Sequence, residues 1–273
     1  MRILASVVTA SLLLAVAVSG RAHAAPTVAR AAAASTAKPG CRSTKARVPV
    51  KHVIWIWFEN TDYRNVIGNA GAPYTNRLAR GCRLATNYHG LTHPSLPNYI
   101  GATSGQMTLT SDCPPTKCRT KTASLFSRAA SWRDYQGGMT HPCQSGGTSS
   151  YEPQHNPAVY YTRLSRTCRT HDLPLSQFRL GRVQFLFVAP DSVTQDAIAP
   201  RGDTWLAHWL PTHVFSTKAY RNGSTVVFLT WDESYAAGNH IVLIRIRRGS
   251  HGRITKRLDH HWLYEKTISM LHL

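Results

Sequence analysis

His52-Val53-Ile54-Trp55-Ile56-Trp57-Phe58 is an almost unbroken apolar run, and it stops at Glu59-Asn60. A second run, Thr225-Val226-Val227-Phe228-Leu229-Thr230-Trp231, stops at Asp232-Glu233. Neither alternates polar with apolar residues. A strand that buries one face alternates; a strand covered on both faces, as in parallel sheets flanked by helices, does not. Val183-Gln184-Phe185-Leu186-Phe187-Val188 and Ile241-Val242-Leu243-Ile244-Arg245-Ile246 read as two more buried strands. The four runs predict an α/β fold; between and after them, 123–130, Thr204 to Phe215 and the stretch after Trp262 through Leu271 read as helices, 136–172 as a long irregular region and 247–257 as a basic loop. In open α/β sheets the site lies beyond the carboxyl ends of the strands. Glu59, Asn60, Asp232 and Glu233 are therefore expected at one crevice.

Thr92-His93-Pro94-Ser95-Leu96-Pro97-Asn98-Tyr99-Ile100-Gly101-Ala102-Thr103-Ser104-Gly105 reads as a helix entered from the strand Leu84-Ala85-Thr86-Asn87-Tyr88. Ser95 suits the N-cap, Pro97 suits the first turn, and Gly105 suits the stop. A hydroxyl at that junction sits where backbone N–H groups converge and an anion is favoured. On this stretch alone, a capped helix without chemistry explains the residues equally well. Hard oxygen donors from separate strands around such a hydroxyl tip the balance toward a divalent cation and a phosphoryl substrate.

Several strings now line up in order. They are Phe58-Glu59-Asn60-Thr61-Asp62-Tyr63, Ala72-Pro73-Tyr74, Thr86-Asn87-Tyr88, Thr92 to Tyr99, His155-Asn156-Pro157, Gly202-Asp203-Thr204-Trp205-Leu206, Thr230 to Glu233 and Gly238-Asn239-His240. Across roughly residues 50 to 273 the chain resembles the bacterial phosphoesterase family of secreted acid phosphatases and non-haemolytic phospholipases C, within the alkaline phosphatase superfamily. The resemblance implies a mostly parallel central sheet with helices on both faces. It implies one divalent metal ion held by Glu59, Asn60, Ser95, Asp232 and Glu233. Ser95 would be the nucleophile, and Asn98 would stabilise the phosphoryl oxygens. His155, His240 and His261, with His260 as the fallback, would bind phosphate or protonate the leaving group. Alkaline relatives keep a second metal where these histidines stand, and protonated imidazole there suits acidic operation. Many relatives carry Asn-Asp-Met-His after the third strand; this chain has Ser192-Val193-Thr194-Gln195-Asp196-Ala197. Asp191 or Asp196 is the substitute expected near substrate.

The first residues have the form of a signal peptide. Met1-Arg2 carries charge, Ile3 to Val18 is mostly apolar, and Ala22-His23-Ala24 fits a cleavage site, so residues 1–24 are expected to be removed. Residues 25–48 read as a flexible basic leader and 49–273 as a single catalytic domain. No later stretch is apolar enough to span a bilayer, and secretion is the expected fate. The formal charge is +19, or +17 once Arg2 and Arg21 are set aside. Such a surface attracts phosphorylated small molecules, lipid headgroups and other anionic surfaces. No Lys/Arg stripe interleaved with aromatics marks a dedicated nucleic-acid module.

Cys41, Cys82, Cys113, Cys118, Cys143 and Cys168 are an even set in an exported chain. Three disulfides are expected, and sequence allows 15 pairings. Cys113 and Cys118 can close a small loop; Cys143–Cys168 and Cys41–Cys82 are then left. A zinc site ranks below this because no CxxC pair is present.

Three functions remain open. The first is phosphate monoester hydrolysis through a phosphoserine, with phosphoinositides among the substrates. The second is a phospholipase C or phosphodiesterase on the same fold. Such phospholipases are usually longer than this sequence, which favours the monoesterase. The third is a non-catalytic binder of anions on a decayed scaffold.

Overall fold

The computed structural model describes residues 39–44 and 48–273; the signal segment and most of the leader lie outside the described residues. In chain order the strands are β1 (His52–Phe58), β2 (Arg83–His89), β3 (Trp132–Gln136), β4 (Asp172–Pro174), β5 (Phe185–Ala189), β6 (Thr225–Trp231), β7 (His240–Ile246), β8 (Gly252–Ile254) and β9 (Leu258–Asp259). They form one sheet in the order β4-β3-β5-β1-β6-β7-β2-β8, with β9 also paired to β2. All neighbours run parallel except β7, which is antiparallel to both β6 and β2. The sequence reading of a mostly parallel sheet holds. The reversal of β7 has one consequence for the site: the start of β7 lies at the same edge as the ends of β6 and β2.

β1, β5 and β6 are buried along their whole length, as their unbroken apolar composition requires. The four longest helices are α1 (Pro73–Gly81), α2 (Ser95–Ser104), α3 (Asp203–Leu210) and α4 (His260–Leu271). Pleating sends alternate side chains of β1 to opposite faces. On one face Trp55 donates through its indole to Thr267 of α4 at 3.1 Å, and Trp57 packs on Tyr99 of α2. On the other, Phe58 meets Trp205 of α3 and stacks on Trp231. Burial of one such side chain contributes roughly 2 kcal/mol. Asp203 ties α3 to α1: its carboxylate accepts from the Tyr74 and Thr75 amides at 2.9 and 2.7 Å and from the Thr75 hydroxyl at 2.7 Å. The Gly202 to Leu206 string is thus a structural clamp.

Several element bounds differ from the sequence reading. The helix expected over 123–130 is the single turn Leu125–Arg128. That expected from Thr204 to Phe215 is α-helical to Leu210, where Pro211 removes an N–H and wider turns follow. The basic stretch 247–257 contains β8, and the irregular stretch 136–172 ends where β4 begins. Strands of three residues leave no periodicity to read. The helix expected after Trp262 begins at His260, three residues before Leu263, because Asp259 caps it through the Trp262 amide.

The three cysteine pairs are Cys41–Cys82, Cys113–Cys118 and Cys143–Cys168. Among the described residues one group of three Cys, His, Asp or Glu has its ligand atoms all within 4.8 Å of one another, Cys143, Cys168 and Asp172. Its two sulfurs are joined to each other, so it offers no thiolates.

Candidate active site

The carboxyl edge of the sheet is where the expected residues meet. β1 runs directly into Glu59, which is fully buried, and β6 into Asp232, likewise buried. The Asn60 amide donates to Asp232 Oδ1 at 3.0 Å, which clamps the two strand ends together. Asn60 turns the chain with φ of 51°, a conformation that Asn tolerates better than most residues.

Ser95 is the first residue of α2, one position inside the expected cap, with Pro94 as N-cap and Gly105 in the left-handed region closing the helix. The Ser95 hydroxyl donates to Glu59 Oε2 at 3.1 Å. The Tyr99 hydroxyl, one turn further on, donates to Glu59 Oε1. Asn98 does a different task from the one expected. Its Oδ1 accepts from the Leu91 and Thr92 amides at 2.8 and 3.2 Å. Its Nδ2 donates to the Thr92 and Pro94 carbonyls at 2.8 and 3.1 Å and to Glu233 Oε2 at 3.3 Å. It pins the loop that delivers Ser95. A Cβ on Gly90 would stand 2.8 Å from the Asp232 carbonyl and 2.6 Å from Asn239, so only glycine lets this loop close on β6.

His155 reaches the site as an uncharged group. It lies buried and nearly parallel to Tyr99, and its Nε2 stands 3.3 Å from Glu59 Oε2. Burial pushes its pKa down to about 4, which corrects the expectation of an imidazolium at this position. Three expected residues make no hydrogen bond to Ser95 or to the carboxylates around it. Asp191 spends its carboxylate capping the short helix Ser192–Gln195 through the Thr194 amide and hydroxyl. His240 is stacked between Tyr63 and His89, at 4.4 and 5.1 Å. His261 lies against Gly101 of α2, about 9 Å along the helix from Ser95. Its neighbour His260 is the one wired to the site: Nε2 meets the Asp232 carbonyl and Nδ1 the Tyr88 hydroxyl, each at 2.7 Å.

Asp196, the alternative to Asp191, and three residues outside the expected set also belong here. Asp196 accepts from Asn60 Nδ2 at 3.3 Å and, of the two aspartates weighed from sequence, is the one at the crevice. His93 lies 2.6 Å from Glu233 Oε2. Tyr99 and Asn239 complete the set; Asn239 accepts from the Ser234 amide and donates to the Thr92 carbonyl. His93, Tyr99 and Asn239 sat inside strings already singled out, but their roles depend on which strand end they face.

The electrostatics are lopsided. Burial, and then the Asp232 charge, raise Glu59 well above the ordinary carboxylate range. Burial raises Asp232 to about 6. Burial and the Asp232 charge raise Glu233 to about 8, and burial raises Asp196. Asp232 Oδ2 and Asn60 Oδ1 are buried with no hydrogen-bond partner. Two orphaned oxygens among clustered carboxylates are a donor set that fits a hard divalent cation.

No protein-family model matches the chain. By sequence the chain is 28% identical to an acid phosphatase of Aspergillus fumigatus, over 68% of this chain and 46% of that protein. It is 27% identical to a phosphatidylinositol-3-phosphatase of Mycobacterium tuberculosis, over 67% of this chain and 63% of that one. The chain spans about half the length of the fungal acid phosphatases it matches. By structure it superposes on an alkaline phosphatase superfamily protein of Vibrio parahaemolyticus with a TM-score of 0.56, at 11% identity, over 88% of this chain and 72% of that one. The fold is therefore that of the alkaline phosphatase superfamily.

Proposed function

We propose that this chain is a phosphoric monoester hydrolase, exported from the cell, that works from Ser95 through a phosphoserine. The observation that carries the reading is the Ser95 hydroxyl at the start of α2, 3.1 Å from the Glu59 carboxylate and beside the buried Asp232. The sequence relatives named as acid phosphatases and as a phosphatidylinositol-3-phosphatase support the reaction class. The second of them supports phosphoinositide headgroups as one substrate class. The three disulfides support export to an oxidising compartment.

Four acidic side chains around a site for an anionic ester have the wrong sign by themselves. Glu59, Asn60, Asp232 and Glu233, with Ser95, would hold one divalent cation. That cation would acidify the Ser95 hydroxyl and neutralise charge on the phosphoryl group. Ser95 Oγ attacks phosphorus while its proton passes to Glu59, already its hydrogen-bond acceptor. The ester P–O bond breaks and the leaving oxygen takes a proton. Water then cleaves the Ser95–phosphate bond and restores the hydroxyl. In the first turn of α2 the Leu96 amide is already taken by Asp112 Oδ1 at 2.9 Å and Pro97 has no N–H, so charge on the phosphoryl oxygens would be met chiefly by the cation. Asn98 and Asn239 hold the loop rigid, and His155 keeps Glu59 in place as a neutral Nε2–H donor.

The test is turnover of p-nitrophenyl phosphate against bis-p-nitrophenyl phosphate by the wild type and Ser95→Ala. Monoester turnover that is lost in the variant is expected. A preference for the diester would move the protein to the phosphodiesterases, and no turnover of either would leave a binder.

A further inference from the structure

The amino edge of the sheet, opposite the Ser95 site, carries a second concentration of charge, and it is positive. Arg83 opens β2 and Arg245 lies near the end of β7, and the antiparallel register sets them directly opposite each other. Arg247 and Arg248 follow on the turn, and Lys266 projects from α4. Together with Ser250, these five cations line a cavity of about 370 Å³ whose wall contains no acidic side chain. The ion pairs found among the described residues, His93–Glu233 and His155–Glu59, involve no Arg or Lys.

Such a cluster is costly unless something answers it. Like charges directly opposite on neighbouring strands destabilise the pair. Burial, with Arg83 and Arg247 nearby, lowers the Arg245 pKa to about 10. Arg83 Nε is buried with no partner. Arg247 and Arg248 are fixed by bonds to the Gly223, Val48 and Arg221 carbonyls, and Arg245 by the Ser250 hydroxyl, so the positive wall is held in shape. A planar guanidinium presents paired donors that match phosphate or sulfate oxygens.

We propose that this cavity is an anion-binding site, distinct from the Ser95 centre, for a compact ligand carrying two or more phosphate or sulfate groups. β7 alone spans about 20 Å between the two edges, so one small ligand does not bridge them. A chain held at this edge by an anionic ligand keeps the Ser95 edge open to substrate.

Inositol hexasulfate is a probe that a phosphoesterase does not consume. Calorimetric titration of the wild type, Arg83→Gln/Arg245→Gln and Arg166→Gln/Arg169→Gln separates site from diffuse charge. The last pair, exposed beside β4 at the far side of the sheet, removes the same charge elsewhere. The expected result is at least a tenfold affinity loss for the Arg83/Arg245 variant and less than threefold for the control. p-Nitrophenyl phosphate turnover within twofold of wild type certifies the fold. Equal losses in both variants, or no loss in the first, overturns the proposal. Should the first variant not fold, phenylglyoxal labelling of the wild type decides: the probe must protect Arg83 and Arg245 but not Arg166 and Arg169, and absence of that pattern overturns it. Vesicles containing phosphatidylinositol bisphosphate, added to the same series, distinguish a headgroup from a free anion as the source.

Discussion

The two edges of one sheet have opposite chemistry. At the carboxyl edge Glu59, Asp232, Glu233 and Asp196 crowd together in a protein whose formal charge is +19. At the amino edge Arg83, Arg245, Arg247, Arg248 and Lys266 crowd together without a carboxylate. Both clusters cost stability in isolation, and both hold buried polar atoms with no partner. The acidic cluster calls for a cation and through it an anionic ester; the basic cluster calls for an anion directly. Buried like charge, more than net charge, thus marks where each edge expects a ligand.

The comparison breaks most visibly if Ser95 is not the group the acidic edge serves. Ser95→Ala is expected to reduce monoester turnover by on the order of 10³-fold or more, as loss of an activated nucleophile does. The melting temperature should stay close to wild type, since one hydroxyl and one hydrogen bond are removed. Residual activity of a tenth would show that attack comes from another oxygen.

Next is the cation. Asp232→Asn keeps the shape and the bond from the Asn60 amide but removes the charge. It should cut turnover by about 10²-fold and lower bound divalent metal in elemental analysis in the same preparations. The unloaded variant should also be more stable than unloaded wild type, because a repulsive neighbour of Glu59 is gone. Full activity in a metal-free preparation would leave the acidic cluster without the ligand ascribed to it.

How much of this was legible in sequence follows from what sequence encodes. Unbroken apolar runs named β1, β5, β6 and β7, and the meeting of the residues that follow β1 and β6 at one crevice was readable because chain direction fixes where a strand end points. Strand direction itself was not readable: the reversal of β7 is what brings His240 to the carboxyl edge, and the stacking of its ring between Tyr63 and His89 there leaves no trace in the local string. Between His260 and His261 one residue of helical phase decides which reaches Asp232, and the capping by Asp259 that sets the phase is visible only in the fold. Asp191 and Asp196 differ likewise: one caps a turn and the other faces Asn60. The charge of His155 depends on burial by Tyr99 and its surroundings, which no local string records.

The segment carrying His155 offers a sharper, smaller test. Cys143–Cys168 closes a loop of 25 residues that contains it. Replacing both cysteines with Ala should cost about 3 kcal/mol of stability by the chain-entropy estimate. Chemical denaturation measures it. Turnover per folded molecule should fall as His155 loses its fixed position, whereas inositol hexasulfate affinity at the amino edge should not change. A parallel fall in both would show that the edges are not independent.

The smallest expected effect concerns a third pair of like charges, lying between the edges and facing no ligand. Asp134 and Asp172 are cross-strand neighbours on β3 and β4 and fully buried. Gln136 donates to Asp134 at 2.7 Å, and Asn156 donates to both oxygens of Asp172 at 3.0 and 3.1 Å, so the pair braces the backbone beside His155. Burial raises both pKa values, and Asp172 adds its charge to the effect on Asp134. The sign follows from proton counting. Between the ordinary carboxylate value and the raised folded value, the unfolded chain has lost protons that the folded chain keeps. Stability from this pair is therefore greatest in acid and falls as pH rises through that interval toward neutrality. Asp172→Asn removes one titrating group and leaves Asn156 an acceptor. Unfolding free energies from urea denaturation, measured from pH 4 to 8, should fall less steeply in Asp172→Asn than in wild type, by on the order of 1–2 kcal/mol across the range. Parallel slopes would mean that the pair is ionised in the folded state, and that buried like charge in this protein is tolerated without a ligand, which would remove the ground on which the two edges were compared.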